Sequence, residues 1–463
     1  MTALPEQRLH IPELSDAATA AKSRIPELDV LRGFAVLGIF WINIVYFGLP
    51  YDAFDMPLLF GHADRLNLFA WWLDSQFVEG SMFALFSMLF GASALVILDE
   101  AKTGGGHGVQ VVERYYRRNL WLMVFGLFHA FVLLSPFEVL FSYGALGLML
   151  FPLRRLRPWT LLLLGLLLTS VNIPDGDDPA SEVGAALSQE ESLLQLKHLF
   201  NGIPEDRRAG VIQAYRQSRL ADMQGEIDLY RSDYATIFDF NAGSAVYQQT
   251  HNLYFDNFFD AGGMMLIGMA LLKLGVITGG RSAMLYLAMM LVGYVVALGM
   301  RLPIVYEAIQ AGFPPKVMLG LSEYRHFLAR LPLAFGHIGL VLLLCRVARI
   351  APLLKGLAAV GRMALSNYLM QSLFSVLFFY GFGLAMFAEL ERYQLALTAL
   401  AFGGIQILYS LVWMRFFRYG PMEWLWRSLV RGRLEPMRLP KAPPIAAALP
   451  LPQVGEARVW EGE

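Results

Sequence analysis

Glu27-Leu28-Asp29-Val30-Leu31-Arg32-Gly33-Phe34 runs straight into an apolar stretch over residues 35–48. Three ionisable groups stand at the mouth of a segment long enough to cross a bilayer. A charge at that depth needs a partner or water, so Asp29 and Arg32, three apart on one helical face, are expected to pair. The later apolar blocks read as further spans gathered around this one.

Composition points the same way. Of 463 residues, 56% are hydrophobic and 16% charged, and the mean hydropathy is +0.48. A soluble chain carries about 25% charged residues. The net charge of -1 hides a segregation of sign along the chain, and no nucleic-acid partner is expected. Residues 1–23 are polar, with Glu6, Glu13 and Asp16, and lack the basic-then-apolar order of a cleavable signal. The first apolar run therefore reads as a retained helix. A single cysteine, Cys345, leaves no internal disulfide.

Ten spans are the economical reading, near 30–49, 80–98, 118–135, 137–153, 159–173, 257–277, 283–300, 326–348, 363–387 and 396–417. The fold class is all-α: a polytopic integral membrane bundle of about ten transmembrane helices with an outer helical loop insertion. Lys and Arg collect at alternate ends, in groups such as Arg114, Arg117 and Arg118, Arg154, Arg155 and Arg157, and Arg415, Arg418 and Arg427. By the positive-inside rule those ends and both termini are cytoplasmic. The chain then divides into a cytoplasmic tail (1–24), five spans (25–173), an extracytoplasmic loop (174–256), five spans (257–417) and a cytoplasmic amphipathic segment and tail (418–463).

The loop at 174–256 is far longer than the ~12–15 residues usual for a structureless connection. Ser188-Gln189-Glu190-Glu191 is a capping-box pattern that opens one short amphipathic helix, and Pro204 can open a second. Thr103 to Gly108 reads as a glycine-rich hinge; without a Lys-Ser/Thr ending it is no phosphate loop.

Polar groups inside spans are costly and so informative. His129 leads, because a neutral imidazole gives and accepts a proton near pH 7; the alternative is a packed histidine bonded to backbone. The turn at Ser135-Pro136 returns the chain at once, bringing Glu138, with Ser142 and Tyr143 one turn on. Ser142, four residues after Glu138, is expected on the same helical side. Glu138 is either the group that orients His129 or an ordinary interfacial carboxylate. Asn43, Asn367 and Gln371 are either interhelical hydrogen-bonding amides or substrate contacts. Arg325, His326, Arg330 and His337 gather at the start of the eighth span, to hold an anionic head group or to snorkel. Arg32, Arg117, Arg118 and Arg362 lie at cytoplasmic ends, where they face anionic lipid or hold the phosphates of a coenzyme A thioester. Zinc spacing, a nucleophile elbow and a dinucleotide fingerprint are absent, and no metal is expected.

Five blocks carry a resemblance: Arg24 to Phe34, Ser81 to Gly91, Gly126-Leu-Phe-His129, Gly361 to Ser372, and Phe417 to Arg427. Together they resemble the bacterial YeiB-like family (domain of unknown function 418), over nearly the whole chain past the N-terminal tail. That family is described as transport-related. It also resembles, distantly, the transmembrane acyltransferases, including heparan-α-glucosaminide N-acetyltransferase, through the Leu-Asp-x-x-Arg-Gly entry to the first span. The resemblance implies a cytoplasmic acyl-coenzyme A donor, an acceptor on the far side and a catalytic histidine. The entry motif falls on Asp29 and Arg32, and the histidine on His129. Glu138 stands where an Asp is expected.

Three functions follow as alternatives. An acyltransferase would use His129 as base or acyl carrier, Glu138 to orient it, and acyl-coenzyme A as donor to a glycan, lipid head group or small metabolite. A transporter of a small organic solute would use the same groups as a proton relay. A lipid- or quinone-binding protein would use neither. Membrane lipids are expected partners of all three, and a homo-oligomer is left open.

Overall fold

The entry stretch begins a helix, α1 (Pro26–Gly48), with Pro26 at its first turn and Glu27 and Asp29 beside the positive end of its dipole. It stops at Leu49, held extended ahead of Pro50. The computed structural model describes residues 25–55, 64–103, 108–136, 138–171, 220–311 and 326–439, and among them the regular structure is helical apart from one isolated bridge, Phe417 with Arg438. The helices proposed at 188–200 and 204–220 fall outside these residues, save the last of them.

After α1 come α2 (Arg65–Leu73), α3 (Ser81–Thr103), α4 (Gly108–Phe131), α5 (Leu140–Leu153), α6 (Pro158–Val171), α7 (Tyr234–Tyr247) and α8 (Asp260–Lys273). Then follow α9 (Ala283–Ala311), α10 (His326–Leu344), α11 (Ala351–Arg362), α12 (Ala364–Phe379), α13 (Arg392–Phe416) and α14 (Pro421–Arg431). Every predicted span contains a helix, but helix and span are different statements. Among the described residues, four helical runs are long and apolar enough to cross a membrane: Pro26–Gly48, Arg65–Leu98, Ala283–Tyr306 and Arg392–Phe416. Counting each bent pair as one span gives up to six. The chain is a multi-pass membrane protein.

Two boundaries differ from the sequence reading. The second helical run starts at Arg65 rather than near 80, because Asp64 caps the Asn67 amide at 2.8 Å and a π-helical turn, Asp74–Val78, carries the helix on toward α3. The loop drawn to 256 is helical over its described end. Asp233 caps α7, and Tyr234–Asn257 meets α8 at a bend of 56°.

Close helix crossings rest on glycine. Gly33 on α1 faces the Leu357 carbonyl and Gly361 on α11 faces that of Asp29, each so near that a Cβ would overlap it. Gly91 and Gly268 form a second such exchange between α3 and α8. Small residues let backbones approach in the absence of a hydrophobic drive between helices. Leu31, Leu85, Ile267 and Ile338 fill the core between these crossings. Outward faces are apolar, with Met284, Val292 and Val295 on α9 and Leu397, Leu400 and Leu408 on α13 exposed.

Arg330 was expected to meet a head group or to snorkel. Instead it is buried in a two-point ion pair with Asp260, Nη1 to Oδ2 at 2.7 Å, which ties the start of α8 to α10. His337 is also internal, bonded to the Phe77 carbonyl at 2.8 Å and to the Tyr294 hydroxyl at 2.9 Å. Breaking a buried pair strands a charge, so Asp260→Asn should cost about 3–5 kcal/mol. The check is thermal unfolding in detergent, and Asp260→Leu combined with Arg330→Met should recover most of the loss.

Candidate functional site

At the end where α1 begins, a cavity of about 490 Å³ lies between α1, α3, α4, the α11–α12 junction and α14. Its size suits a small-molecule ligand. Seven arginines line it: Arg32, Arg114, Arg118, Arg362, Arg418, Arg427 and Arg431. Two carboxylates face them, Asp29 and Glu423. Both already have cationic or N–H partners. Asp29 Oδ1 accepts from Arg32 at 3.1 Å, as the spacing predicted, and Arg32 also donates to Ser93 Oγ at 2.5 Å. Glu423 caps α12 from α14, accepting from the Leu365 and Ser366 amides at 2.7 and 3.1 Å. Burial pushes the Glu423 carboxyl above the ordinary carboxylate range, and the hydrogen bonds from Ser366 oppose it. The remaining cationic field favours an anion.

Aromatic groups hold the arginines in place. Arg118 lies 4.3 Å from the Trp426 ring, whose indole N–H donates to the Arg118 carbonyl at 2.9 Å, and Arg427 lies 4.5 Å from the Tyr419 ring. Inward, the lining turns apolar with Phe86, Leu89 and Leu122 and ends at Tyr143 and Tyr368.

Behind that inner wall sits His129, fully buried on α4. Its ring is 5.0 Å from that of Tyr368, and its Nε2 is 2.7 Å from Ser372 Oγ. Glu138 Oε1 is 4.0 Å from Nδ1, which has no hydrogen-bond partner among the described residues. His129 thus borders the cavity through Tyr368 without lining it. A tight turn creates the meeting of His129 and Glu138. Leu134 takes φ 52°, uncommon for a side-chain-bearing residue, and the Ser135 amide bonds to the His129 carbonyl at 3.2 Å.

The other expected site residues divide. Arg118, Arg362, Asp29, Arg32 and Tyr143 line the cavity. Arg117, its side chain turned away, bonds to the Leu429 carbonyl at 3.1 Å and faces Glu113 at 3.4 Å, so it is not on the cavity wall. Glu138 and Ser142 do not share a helical side. Glu138 precedes α5 and accepts from the Leu140 and Phe141 amides as its cap, while Ser142 meets Asn257 at 3.4 Å. Asn367 bonds Ser410 at 3.0 Å, and Gln371 bonds Gln406 at 2.9 Å and the Val36 carbonyl at 3.3 Å, knitting α12 to α13 and α1. Asn43 is half-buried on α1, outside the cavity. Ser372, Tyr368, Ser93 and the arginines of α14 were not singled out from the sequence. Tyr368 and Ser372, four apart, were the available signal. Among the described residues no group of three or more His, Cys, Asp or Glu is placed to hold a metal ion.

A family model described as "Protein of unknown function (DUF418)" matches residues 271–433, which include Arg362, Tyr368, Ser372 and all of α14. Full-length relatives extend the match. "Uncharacterized protein YxaH" of Bacillus subtilis is 26% identical over 89% of this chain and 95% of its own length. "Uncharacterized protein YeiB" of Escherichia coli is 28% identical over 87% of this chain and 95% of its own. The chain is similar to the YeiB-like proteins over most of its length. A third relative, an "Uncharacterized 39.9 kDa protein in amylase 3'region" of Bacillus acidopullulyticus, is 25% identical over 91% of the chain and 98% of its own length. These names carry no activity.

Proposed function

We propose that the protein transfers an acyl group from a coenzyme A thioester, bound at the arginine-lined end, to an acceptor reached from the opposite side of the bilayer. One observation carries this reading: seven arginines share a single cavity whose innermost ring, Tyr368, touches the ring of a buried histidine. Arginine is suited to bidentate phosphate contacts. Arg118, Arg362 and the arginines of α14 would hold the nucleotide phosphates, and the apolar interior toward Tyr143 would take the acyl-bearing arm. His129 would accept the proton of the attacking group, with Glu138 orienting the ring. The acceptor is a glycan, a lipid head group or a small metabolite. Positive-inside orientation places the arginine end in the cytoplasm and completes the reading as ten crossings of a bacterial inner membrane, both termini inside. Outward apolar faces on α9 and α13 would meet lipid or a second copy.

Purified protein in detergent should bind acetyl coenzyme A and release thiol when acceptor is supplied. Movement of solute across vesicles with no thioester present would favour a transporter instead. Co-purified lipid or quinone with no thioester binding would favour a binding protein. Arg118→Gln and Arg362→Gln should each weaken thioester binding about tenfold or more, the worth of a charge-assisted hydrogen bond, and leave kcat nearly unchanged. Isothermal titration at two salt concentrations checks this, and the weakening should shrink at high salt.

A further inference from the structure

We infer that Ser372 is the nucleophile of a covalent two-step transfer, activated by His129 and Glu138 in the order hydroxyl, imidazole, carboxylate. This rests on the acyl-transfer reading above and adds an acyl-enzyme to it. Ser372 Oγ is 2.7 Å from His129 Nε2, while Glu138 Oε1 is 4.0 Å from Nδ1 on the other side of the ring. The three residues come from α12, α4 and the cap of α5, and all are buried. An imidazole bonded to a serine hydroxyl and faced by a carboxylate is the arrangement that turns a weak alcohol into a nucleophile. The 4.0 Å gap exceeds a hydrogen bond. Catalytic contacts are often long without ligand and tighten on binding.

Position favours Ser372 over its neighbours. Ser366 is bonded to Glu423 at the first turn of α12, and Ser375 Oγ has no hydrogen-bond partner among the described residues. Ser372 lies four residues after Tyr368, one turn of about 5.4 Å deeper on the same helical face. Tyr368 lines the cavity and touches His129, so an acyl group passing that ring next meets the Ser372 hydroxyl.

In the first step Ser372 Oγ attacks the thioester carbonyl as its proton passes to His129 Nε2. The C–S bond breaks, the thiolate takes the proton from the imidazolium, and free coenzyme A leaves through the arginine end. An acyl ester on Ser372 remains. In the second step His129 takes a proton from the acceptor hydroxyl or amine, which attacks that ester. The C–O bond to Ser372 breaks, and Oγ recovers the proton from His129. Donor and acceptor then need never occupy the protein together.

The test incubates the full chain in detergent with radiolabelled acetyl coenzyme A and no acceptor, followed by denaturation and peptide mass spectrometry. The expected result is a thiol burst equal to the amount of protein, with one acetyl group on Ser372. Ser372→Ala should lose the label and lower turnover by about 10³-fold or more. Ser372→Cys should trap a thioester that neutral hydroxylamine cleaves, which also shows that the helix is intact. Thioester turnover with no label on Ser372, or with label on His129 instead, overturns the assignment of Ser372 as nucleophile and leaves acyl transfer standing. Neither binding nor turnover by the unaltered protein overturns both.

Discussion

His129→Gln should lower thioester turnover by about 10³-fold, within the range a positioned general base contributes, while binding of acetyl coenzyme A should stay within a few-fold of wild type. The two effects should separate because His129 does not line the cavity, whereas Tyr368, whose ring touches it, does. Glutamine fills most of the imidazole volume and keeps a group able to bond Ser372, so the helix contact survives. His129→Ala should abolish turnover equally. Emptying a fully buried site adds a packing cost, about 1–3 kcal/mol if it is smaller than a core aromatic truncation. Glu138→Gln should give an intermediate loss, since it keeps the α5 cap and removes only the charge facing Nδ1. The measurements are thiol release, titration of the donor, and melting temperature on the same preparations. Wild-type turnover in His129→Gln would remove the imidazole from the chemistry and assign the base to another group.

The part of the site set by near neighbours in sequence was legible. Asp29 and Arg32 pair because three residues bring them round one face of a helix. Ser135-Pro136 returns the chain at once and so puts Glu138 near His129, but that the two side chains come within 4.0 Å was not readable from the spacing. What was not legible depends on rotation and on distant segments. Arg117 and Arg118 are adjacent, and consecutive side chains on a helix diverge by about 100°; only the packing of α14 decides that Arg118 faces the cavity and Arg117 the Leu429 carbonyl. Ser372 meets His129 across 243 positions of sequence, a contact no local pattern announces. Glu138 was placed on a helical face, whereas a carboxylate bonded to two free amides sits ahead of the first turn.

Each apolar stretch marked from the sequence contains a helix, because hydropathy reads composition over a window. It is blind to how one helix joins the next. The run Arg65–Leu98 passes through a π-helical turn that keeps Asp74, Ser75 and Gln76 buried, so its polar start looks like a loop from sequence. Arg301 accounts for part of that burial, donating to the Ser75 carbonyl at 2.7 Å and that of Glu79 at 3.0 Å. The break between α10 and α11, at 95°, is equally hidden, because both sides are apolar. That bend matters to the site. It lays α11 across α1 and brings Gly361 and Arg362 to the cavity.

Gly268→Leu should prevent the protein from accumulating as a monodisperse species. A Cβ at Gly268 would overlap the Met88 carbonyl, and one at Gly91 would overlap the Met265 carbonyl. The obstructing atoms are backbone, so no rotamer relieves them and α3 must move away from α8. That movement is blocked from behind. Gly165 and Gly263 also hold α8 close to α6, and Met88, Met265 and Ile267 are buried around the crossing. Overpacking normally costs about 1–3 kcal/mol. Here two helix contacts must open together, so the loss should exceed about 4 kcal/mol, the exceptional range for one substitution. Gly268→Ala should fall between the two. Gly404 on α13 is the control, with nothing within 4 Å of its Cβ position. Gly404→Ala should be neutral or stabilise by up to about 1 kcal/mol, because it removes only backbone freedom. Fluorescence-detected gel filtration after a heat ramp reads all three. A Gly268→Leu protein melting with the wild type would mean that α3 and α8 do not cross at this distance, and the wall that α3 gives the arginine cavity would have to be drawn elsewhere.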